Sequence, residues 1–205
     1  MNDQGNKVKK IDLFITGVGG QGNILASDIV GQVAIYSGYD VKKTDTLGMA
    51  QRGGSVVSNV RLAEKVYSPL IKEGEADILL AFEKLEAARW GHYLKKDGLA
   101  IVNNHSLPPL SVSLGNEQYP RDDRIVDMLR RRTERIHFVD GTLRARELGN
   151  IRTLNIFMLG CVSLFLPFKV STWKDALAQR LPPNLREINL AAFERGRKEM
   201  ESVRL

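Results

Sequence analysis

The sequence contains a single cysteine and only three histidines among its 205 residues. One thiol, Cys161, excludes an internal disulfide, and it also excludes an iron–sulfur cluster or a zinc site held by this chain's own thiolates. The histidines, His92, His105 and His137, are too widely spaced to suggest a metal site. We therefore expect no redox centre that belongs to this chain alone.

The sequence also lacks a long hydrophobic run. Its most apolar stretch, residues 154–168, is interrupted by Asn155 and Pro167. It is shorter than the roughly 18 apolar residues of a membrane span, so it predicts a buried helix. Residues 1–10 are polar and basic, which is typical of neither a signal peptide nor a membrane anchor. These features, with the scarcity of cysteine, predict a cytoplasmic protein without a membrane partner.

The composition is otherwise that of a globular domain, with 43% hydrophobic and 26% charged residues. It predicts one domain over residues 1–205 and excludes collagen-like, low-complexity and disordered chains. The formal charge of +6 is concentrated in one run, which holds Arg130, Arg131, Arg132 and Arg135. This run is either the solvated face of a helix or a docking patch for an acidic protein or a nucleotide. No recognised motif accompanies it, so a nucleic-acid partner is not expected.

Short apolar runs alternate with helical patterns through the first half of the chain, and helical patterns dominate the end. This order predicts an α/β fold, a three-layer, mostly parallel, doubly wound Rossmann-like sheet with a helical carboxyl-terminal region over about residues 142–205. The predicted strands are residues 11–15, 40–46, 55–62, 76–82, 99–103 and 136–140. The predicted helices are residues 25–37, 83–94, 122–132, 143–148, 151–166, 172–181 and a final one after residue 183.

Three connections carry local predictions. Residues 95–98 (KKDG) predict a turn, and residues 105–120, with three of the seven prolines, predict a long loop of the kind that often carries function. Asn184 with Glu187 predicts a capping box for the final helix.

Gly17, Gly19 and Gly22 have the GxGxxG spacing of a dinucleotide-binding loop, and they lie between a predicted strand and a predicted helix. In such a loop Gly17 allows a tight turn, Gly19 lets backbone amides approach a phosphate, and Gly22 lets the helix pack on the strand. The helix amino terminus also favours negative charge. The motif therefore predicts either contact with a phosphate, nucleotide or coenzyme, or tight packing alone.

A dinucleotide site needs an acidic residue near the end of the second strand to accept a hydrogen bond from the ribose, and Asp45 is the best placed candidate. The residues that follow are unusual for an NAD site. Arg52, Gly53, Gly54 and Ser55 offer a cation, bare backbone and a hydroxyl, which are the parts of an anion cradle. They are equally compatible with a tight turn that carries a surface ion pair.

No serine–histidine or cysteine–histidine arrangement is evident, and Cys161 lies in an apolar helical pattern where burial makes a thiol inert. Glu83 and Glu86 share a helix turn, and we expect them at a solvated helix end. Trp90 and Tyr93 are expected to pack in the core. The sequence is thus typical of a protein that binds and positions a substrate or cofactor rather than of a self-sufficient catalyst.

Several motifs occur in a fixed order along most of the chain. They are residues 17–22 (GVGGQG), 48–56 (GMAQRGGSV), 67–71 (YSPLI) and 74–77 (GEAD), then Phe82-Glu83, Glu86-Ala87, Gly149-Asn150 and Asn155. Together they resemble the beta subunit of indolepyruvate:ferredoxin oxidoreductase and the related gamma subunits of 2-oxoacid:ferredoxin oxidoreductases, from about residue 13 to residue 193. At Asp45 and Leu47 the chain departs from the glutamate and histidine of the indolepyruvate branch, which bears on the preferred 2-oxoacid.

The resemblance implies an accessory subunit of a heteromeric enzyme. A large catalytic alpha subunit would carry thiamine diphosphate, magnesium and iron–sulfur clusters, decarboxylate an aryl 2-oxoacid, reduce ferredoxin and yield an acyl-CoA. The small subunit would complete the assembly and help to receive coenzyme A. Backbone and amide donors of Gly19, Gly20, Gln21 and Gly22 would then meet a phosphate, with residues 52–54 as the facing loop. Alternatively, both loops form the subunit interface.

Two other classes of function remain open at this point. One is a free-standing NAD(P)- or flavin-dependent Rossmann oxidoreductase, for which the glycine spacing is the main support. The other is a non-enzymatic nucleotide-sensing or scaffold module. Residues 52–54 distinguish the first class from the oxidoreductase subunit, because an NAD site does not require an Arg-Gly-Gly sequence after the second strand.

Overall fold

A computed structural model describes residues 9–47 and 53–203 of the chain. Its centre is a six-stranded sheet with the strand order β2-β3-β1-β4-β5-β6. The pairs β1–β4, β4–β5 and β5–β6 are parallel, and β3 runs antiparallel to both β1 and β2. The strands are β1 (Ile11–Val18), β2 (Asp40–Leu47), β3 (Ser55–Ala63), β4 (Ala76–Ala81), β5 (Leu94–Asn103) and β6 (Ile136–Val139).

Helices cover both faces of this sheet, which explains why every residue of β1 is buried. Helices α2 and α4 pack on one face, and α1, α5, α6, α7 and α8 pack on the other. The helices are α1 (Asn23–Tyr36), α2 (Lys84–Trp90), α3 (Leu110–Ser113), α4 (Asp122–Arg130), α5 (Gly141–Glu147), α6 (Leu154–Ser163), α7 (Val170–Arg180) and α8 (Arg186–Met200). Four short 3₁₀ turns, Gly91–Tyr93, Ile151–Thr153, Pro183–Leu185 and Glu201–Val203, connect or extend them.

The predicted α/β architecture, with a mostly parallel sheet and a helical carboxyl-terminal region, is therefore confirmed. The antiparallel strand β3 was not predicted. The apolar stretch around Cys161 is a helix, α6, and every one of its residues is buried. No helix in the described part of the chain is long and apolar enough to cross a membrane.

Helices α6 and α8 cross at close range because each contributes a glycine to the contact. A Cβ atom on Gly160 would lie 2.1 Å from the carbonyl oxygen of Phe193, and one on Gly196 would lie 2.0 Å from that of Phe157. Real Cβ atoms do not approach backbone this closely. The two glycines thus let the backbones of the helices touch.

Three local predictions need correction. The turn at residues 95–98 is an irregular part of β5: the register against β4 shifts there, and Asp97 adopts a φ of 60°. The predicted capping box is wrong, because Leu185 precedes α8 without a side-chain cap and Asn184 lies inside a 3₁₀ turn. The segment 105–120 includes the short helix α3.

Candidate functional site

The carboxyl ends of β1, β4, β5 and β6 meet at one edge of the sheet, because these strands are parallel. In open α/β sheets ligands bind outside this edge. The loop between β1 and α1 holds the predicted glycines and lies there, and so does the short connection from β4 to α2. This edge is therefore the candidate site.

The glycines of the first loop do not have the roles that their spacing predicts. Gly17 is an extended residue of β1, paired with Val56, and makes no tight turn. The left-handed conformations fall at Gly20 and Gly22, with φ values of 103° and 84°. At Gly22 a Cβ atom would also lie 2.6 Å from the side-chain nitrogen of Asn155, so α6 packs closely against this loop.

The structure brings the two glycine-rich loops together. The N–H of Gly19 donates to the carbonyl of Gly54 at 2.8 Å, and the N–H of Gly53 donates to the carbonyl of Gly19 at 3.4 Å. The two loops thus face each other, as the family resemblance implies. The Gly19 amide is used in this contact, however, so it is not a spare donor for a phosphate. Arg52 lies outside the described residues.

Gln21 ties the glycine loop to the end of β4. Its side-chain oxygen accepts a hydrogen bond from the N–H of Val18 at 2.7 Å, and its side-chain nitrogen donates to the carbonyl of Phe82 at 3.0 Å. Both ends of the amide are therefore engaged within the chain. Gln21 fixes the position of the loop, which differs from the predicted role as a donor to phosphate.

The hydroxyl of Ser55, predicted as part of the anion cradle, is also engaged within the chain. Its hydroxyl donates to the Glu86 carboxylate and accepts from the indole N–H of Trp90 at 3.0 Å. Trp90 packs against Phe14, and Tyr93 stacks on the same ring, so both aromatic residues belong to the packed core as predicted.

The expectation of a solvated helix end at Glu83 and Glu86 is wrong, because only 1% of Glu83 and 4% of Glu86 are exposed. The Glu83 carboxylate caps α2 by accepting from the N–H of Glu86 at 2.9 Å. It also accepts from the N–H of Leu107 at 3.0 Å and from the hydroxyl of Tyr119. Buried carboxylates need such partners, and a short helix with a loop folded over it supplies them here.

The amino terminus of α1 has features that favour a negative charge. The first N–H groups of a helix have no partner within it, and the positive end of the helix dipole favours negative charge. The first turn of α1 contains no acidic residue, and Gly22 precedes it without a side-chain cap. Asn23 adds a side-chain oxygen that is buried and has no hydrogen-bond partner among the described residues. The N–H groups of the first turn thus favour a phosphate, whereas the Asn23 oxygen is an acceptor and needs a donor group elsewhere on the ligand.

Asp45 is not placed to read a ribose. Its carboxylate accepts from the hydroxyl of Ser58 at 2.6 Å and from that of Ser27 at 3.2 Å, and it pairs with Lys43 at 2.9 Å. Burial alone would raise the pKa of Asp45, but the hydrogen bonds from Ser58 and Lys43 outweigh it and hold the pKa below its usual value. The acceptor atoms are thus already occupied.

The remaining candidates lie away from this edge or are chemically inert. The four arginines of the basic run are exposed, which fits both a solvated surface and a docking patch, and only Arg130 lies in α4 while the others follow its end. Cys161 is fully buried, and burial raises the pKa of its thiol, so it remains protonated. The described residues contain no cluster of three or more metal-ligating side chains.

Sequence reasoning missed a polar network at the carboxyl ends of β4 and β5. The side-chain nitrogen of Asn103 donates to the Phe82 carbonyl at 3.0 Å and to the hydroxyl of Thr142 at 2.9 Å. Its oxygen accepts from the N–H of Thr142 at 3.1 Å. The only signal was position, since Phe82 and Asn103 come directly at the ends of buried strands.

Comparison with known sequences places the chain among 2-oxoacid oxidoreductase subunits. Residues 12–199 match the family described as pyruvate ferredoxin/flavodoxin oxidoreductase. The chain is 38% identical to indolepyruvate oxidoreductase subunit IorB of Thermococcus kodakarensis, with 96% of this chain and 98% of that protein covered. It is 34% identical to subunit IorB of Archaeoglobus fulgidus, with 95% and 98% covered.

Solved structures share the fold. The gamma subunit of a keto/oxoacid ferredoxin oxidoreductase from Geobacter sulfurreducens superposes with a TM-score of 0.70 at 23% identity, with 94% of this chain and 99% of that chain covered. A 2-oxoglutarate:ferredoxin oxidoreductase chain from Magnetococcus marinus gives 0.73 at 18% identity, where 95% of this chain covers 31% of the longer one. From the match over residues 12–199 and the full-length relatives, the chain belongs to the pyruvate ferredoxin/flavodoxin oxidoreductase family.

Proposed function

We propose that this chain is the accessory small subunit of a 2-oxoacid:ferredoxin oxidoreductase that acts on indolepyruvate or a related aryl pyruvate. Its relatives at 34–38% identity are named indolepyruvate oxidoreductase subunits, which supports an aryl 2-oxoacid as substrate. The enzyme would convert the 2-oxoacid to an acyl-CoA and CO₂ and pass the electrons to ferredoxin in the cytoplasm. The chain alone would be inactive.

The glycine loop would contact coenzyme A. The observation that carries this proposal is the pairing of Gly19 with Gly53 and Gly54, which places two loops of bare backbone beside the amino terminus of α1. The donors available to a phosphate are then the N–H groups of Gly20, Gly22 and the first turn of α1. Arg52 would add a cation beside them. The related protein from Magnetococcus marinus was solved with coenzyme A and succinyl-CoA bound, in agreement with this acceptor.

A large partner subunit would supply the redox chemistry. Magnesium is held by carboxylate and phosphate oxygens and an iron–sulfur cluster by thiolates, and the described residues bring no group of three or more metal-ligating side chains together. This chain would hold coenzyme A near the partner's reaction centre and complete the site, while the partner's cofactors perform the decarboxylation and the electron transfer.

Replacement of Arg52 by alanine tests the coenzyme A contact. In the enzyme reconstituted with its large subunit, R52A should raise the KM for coenzyme A about tenfold, which corresponds to the loss of one charge-assisted hydrogen bond. The KM for the 2-oxoacid should stay unchanged. Arg131→Ala is the matched control, because Arg131 is exposed beyond the end of α4. An unchanged KM for coenzyme A in R52A would contradict the proposal and make Arg52 structural or interfacial.

The alternative of an NAD(P)- or flavin-dependent oxidoreductase has little support, because the acceptor atoms of Asp45 are occupied. Calorimetry with NAD on the purified chain separates the two functions. The subunit proposal predicts no binding, and a sub-millimolar dissociation constant would count against it.

A further inference from the structure

Phe82 and Glu83, at the carboxyl end of β4, form hydrogen bonds with several surrounding elements. The carbonyl of Phe82 accepts from the side chains of Gln21 and Asn103, each at 3.0 Å. Its N–H donates to the carbonyl of Thr16 at 2.8 Å. The next side chain, Glu83, is buried and accepts three hydrogen bonds. Two consecutive residues thus fix the glycine loop, the end of β5 and the start of α2 relative to one another.

The Glu83 carboxylate holds together the two ends of the segment 105–120. We call these ends, at Leu107 and Tyr119, the neck of the segment. One of the Glu83 oxygens, Oε1, accepts from both the N–H of Leu107 and the hydroxyl of Tyr119, which lie twelve residues apart in the chain. The beginning and the end of the segment are therefore bound by the same oxygen atom. Between these two points the side chains of Leu110 and Leu114 are 72% and 66% exposed, so the core does not hold the segment in place.

The first turn of α2 reinforces the neck. The N–H of Lys84 donates to the carbonyl of His105 at 3.2 Å, and the N–H of Leu85 donates to the Tyr119 hydroxyl at 3.2 Å. Burial and the hydrogen bond to Glu83 raise the pKa of Tyr119 well above its ordinary value, so its hydroxyl remains a donor over the working pH range. Glu83 is the acceptor that Leu107 and Tyr119 share.

The neck and the glycine loop are attached to consecutive residues at the end of β4. Gln21 of the glycine loop donates to the Phe82 carbonyl at 3.0 Å, and the next residue, Glu83, accepts from Leu107 and Tyr119. Strand β4 pairs directly with β1, whose end leads into the glycine loop. The neck therefore lies at the same edge of the sheet as the amino terminus of α1.

We propose that Glu83 is a positioning residue, whose carboxylate holds the neck of segment 105–120 as one wall of the site that receives coenzyme A. This inference rests on the function proposed above for the glycine loop. Glu83 does not touch the ligand, because its oxygens are occupied by Glu86, Leu107 and Tyr119. It acts through the segment that it fixes.

The test is Glu83→Gln in the enzyme assembled with its large subunit. The amide places a donor where one of the carboxylate oxygens now accepts, and it removes the charge that strengthens the remaining bonds. Loss of about one hydrogen bond to the neck should raise the KM for coenzyme A about fivefold. The kcat and the KM for the 2-oxoacid should stay unchanged. Hydrogen exchange at the Leu107 amide should become faster by a similar factor.

Tyr119→Phe is the second variant, because it removes one hydroxyl from the neck and keeps the ring and the Glu83 charge. It should produce the same two changes with a smaller amplitude, and it decides the question if E83Q does not assemble. Glu64→Gln and Tyr67→Phe are the matched controls, since both residues are exposed near the end of β3, at the opposite edge of the sheet. The controls should leave coenzyme A kinetics and Leu107 exchange unchanged.

Two results would overturn the inference. In the first, hydrogen exchange at the Leu107 amide becomes faster but the KM for coenzyme A is unchanged, which would mean that the segment is not a wall of the site. In the second, exchange at Leu107 is unaltered in both variants, which would mean that Glu83 does not hold the neck. Arg52→Ala distinguishes these failures from a failure of the proposed function. If R52A raises the KM for coenzyme A and the neck variants do not, only the role of Glu83 is wrong.

Discussion

The carboxylate of Asp45 accepts hydrogen bonds from Ser27 and Ser58 and pairs with Lys43. The residue thus joins α1, β2 and β3 and contributes to stability, and it does not have the role of ribose acceptor that its position near the end of a strand predicts. A charged group with this many partners also makes the stability depend on pH.

Asp45→Asn should lower the free energy of unfolding by about 1–2 kcal/mol at pH 7. The pKa of Asp45 is depressed in the folded protein, so its contribution is present above the unfolded pKa of about 3.9 and is lost as the pH falls through the folded value. The difference between wild type and variant should therefore shrink below pH 4. Urea unfolding at pH 7 and pH 3 measures it, and a difference that is the same at both pH values would contradict this account.

Other polar residues at the site also bind groups of the chain where a ligand contact was predicted. Gln21 and Ser55 were predicted as ligand donors, and both instead bind groups of the chain itself. The residue type shows that a side chain can donate a hydrogen bond. The group to which it donates depends on which element packs beside it. Glu83 was predicted to be solvated for the same reason, because its burial depends on a loop that folds back from β5.

At the scale of elements, the crossing of α6 and α8 depends on Gly160. Gly160→Ala would place a methyl group against the Phe193 carbonyl, so the helices must separate. We expect a loss of about 3 kcal/mol, which lowers the melting temperature by about 6 to 12 °C in a chain of this size.

Gly31→Ala is the matched control for this prediction. Gly31 also lies in a helix, α1, but its Cβ would meet only a side-chain carbon of Val41 at the ordinary distance of 3.7 Å. The change should stabilise the protein by up to about 1 kcal/mol, because alanine favours helix. Differential scanning calorimetry of both variants is the measurement. Equal changes in the melting temperature for the two substitutions would mean that the close contact between α6 and α8 does not require glycine at position 160.

For the whole molecule, we expect the purified chain to show no 2-oxoacid-dependent reduction of ferredoxin or a viologen dye. Activity should appear when the proposed large subunit is added, because the relatives of this chain are named as subunits of oxidoreductases and we propose that the partner holds the redox cofactors. Co-purification from the native source and anaerobic assays of the separate and mixed subunits measure this. Turnover by the chain alone, or a tightly bound redox group in it, would refute the accessory role.

Much of the architecture was predictable from patterns. The β-strand at residues 11–15, the left-handed stop at Gly38 after α1 and the helix around Cys161 were found because burial and glycine leave local signals. The predicted capping box at Asn184 was wrong because a 3₁₀ turn follows Pro182 and α8 begins only after that turn. The turn at residues 95–98 failed because pairing with β4 continues around it.

The sequence by itself determined the alternation of strands and helices, the glycine loops and the resemblance to the oxidoreductase family, because each of these is written in neighbouring residues. Only the tertiary structure decided that Gly19 pairs with Gly54 and that Glu83 binds Leu107 and Tyr119. These contacts join residues that lie 24 to 36 positions apart, and the pairing of β1 with β3 and β4 brings them to one edge of the sheet. Hydrogen-bond partners at such separations follow from strand order, which no local pattern encodes.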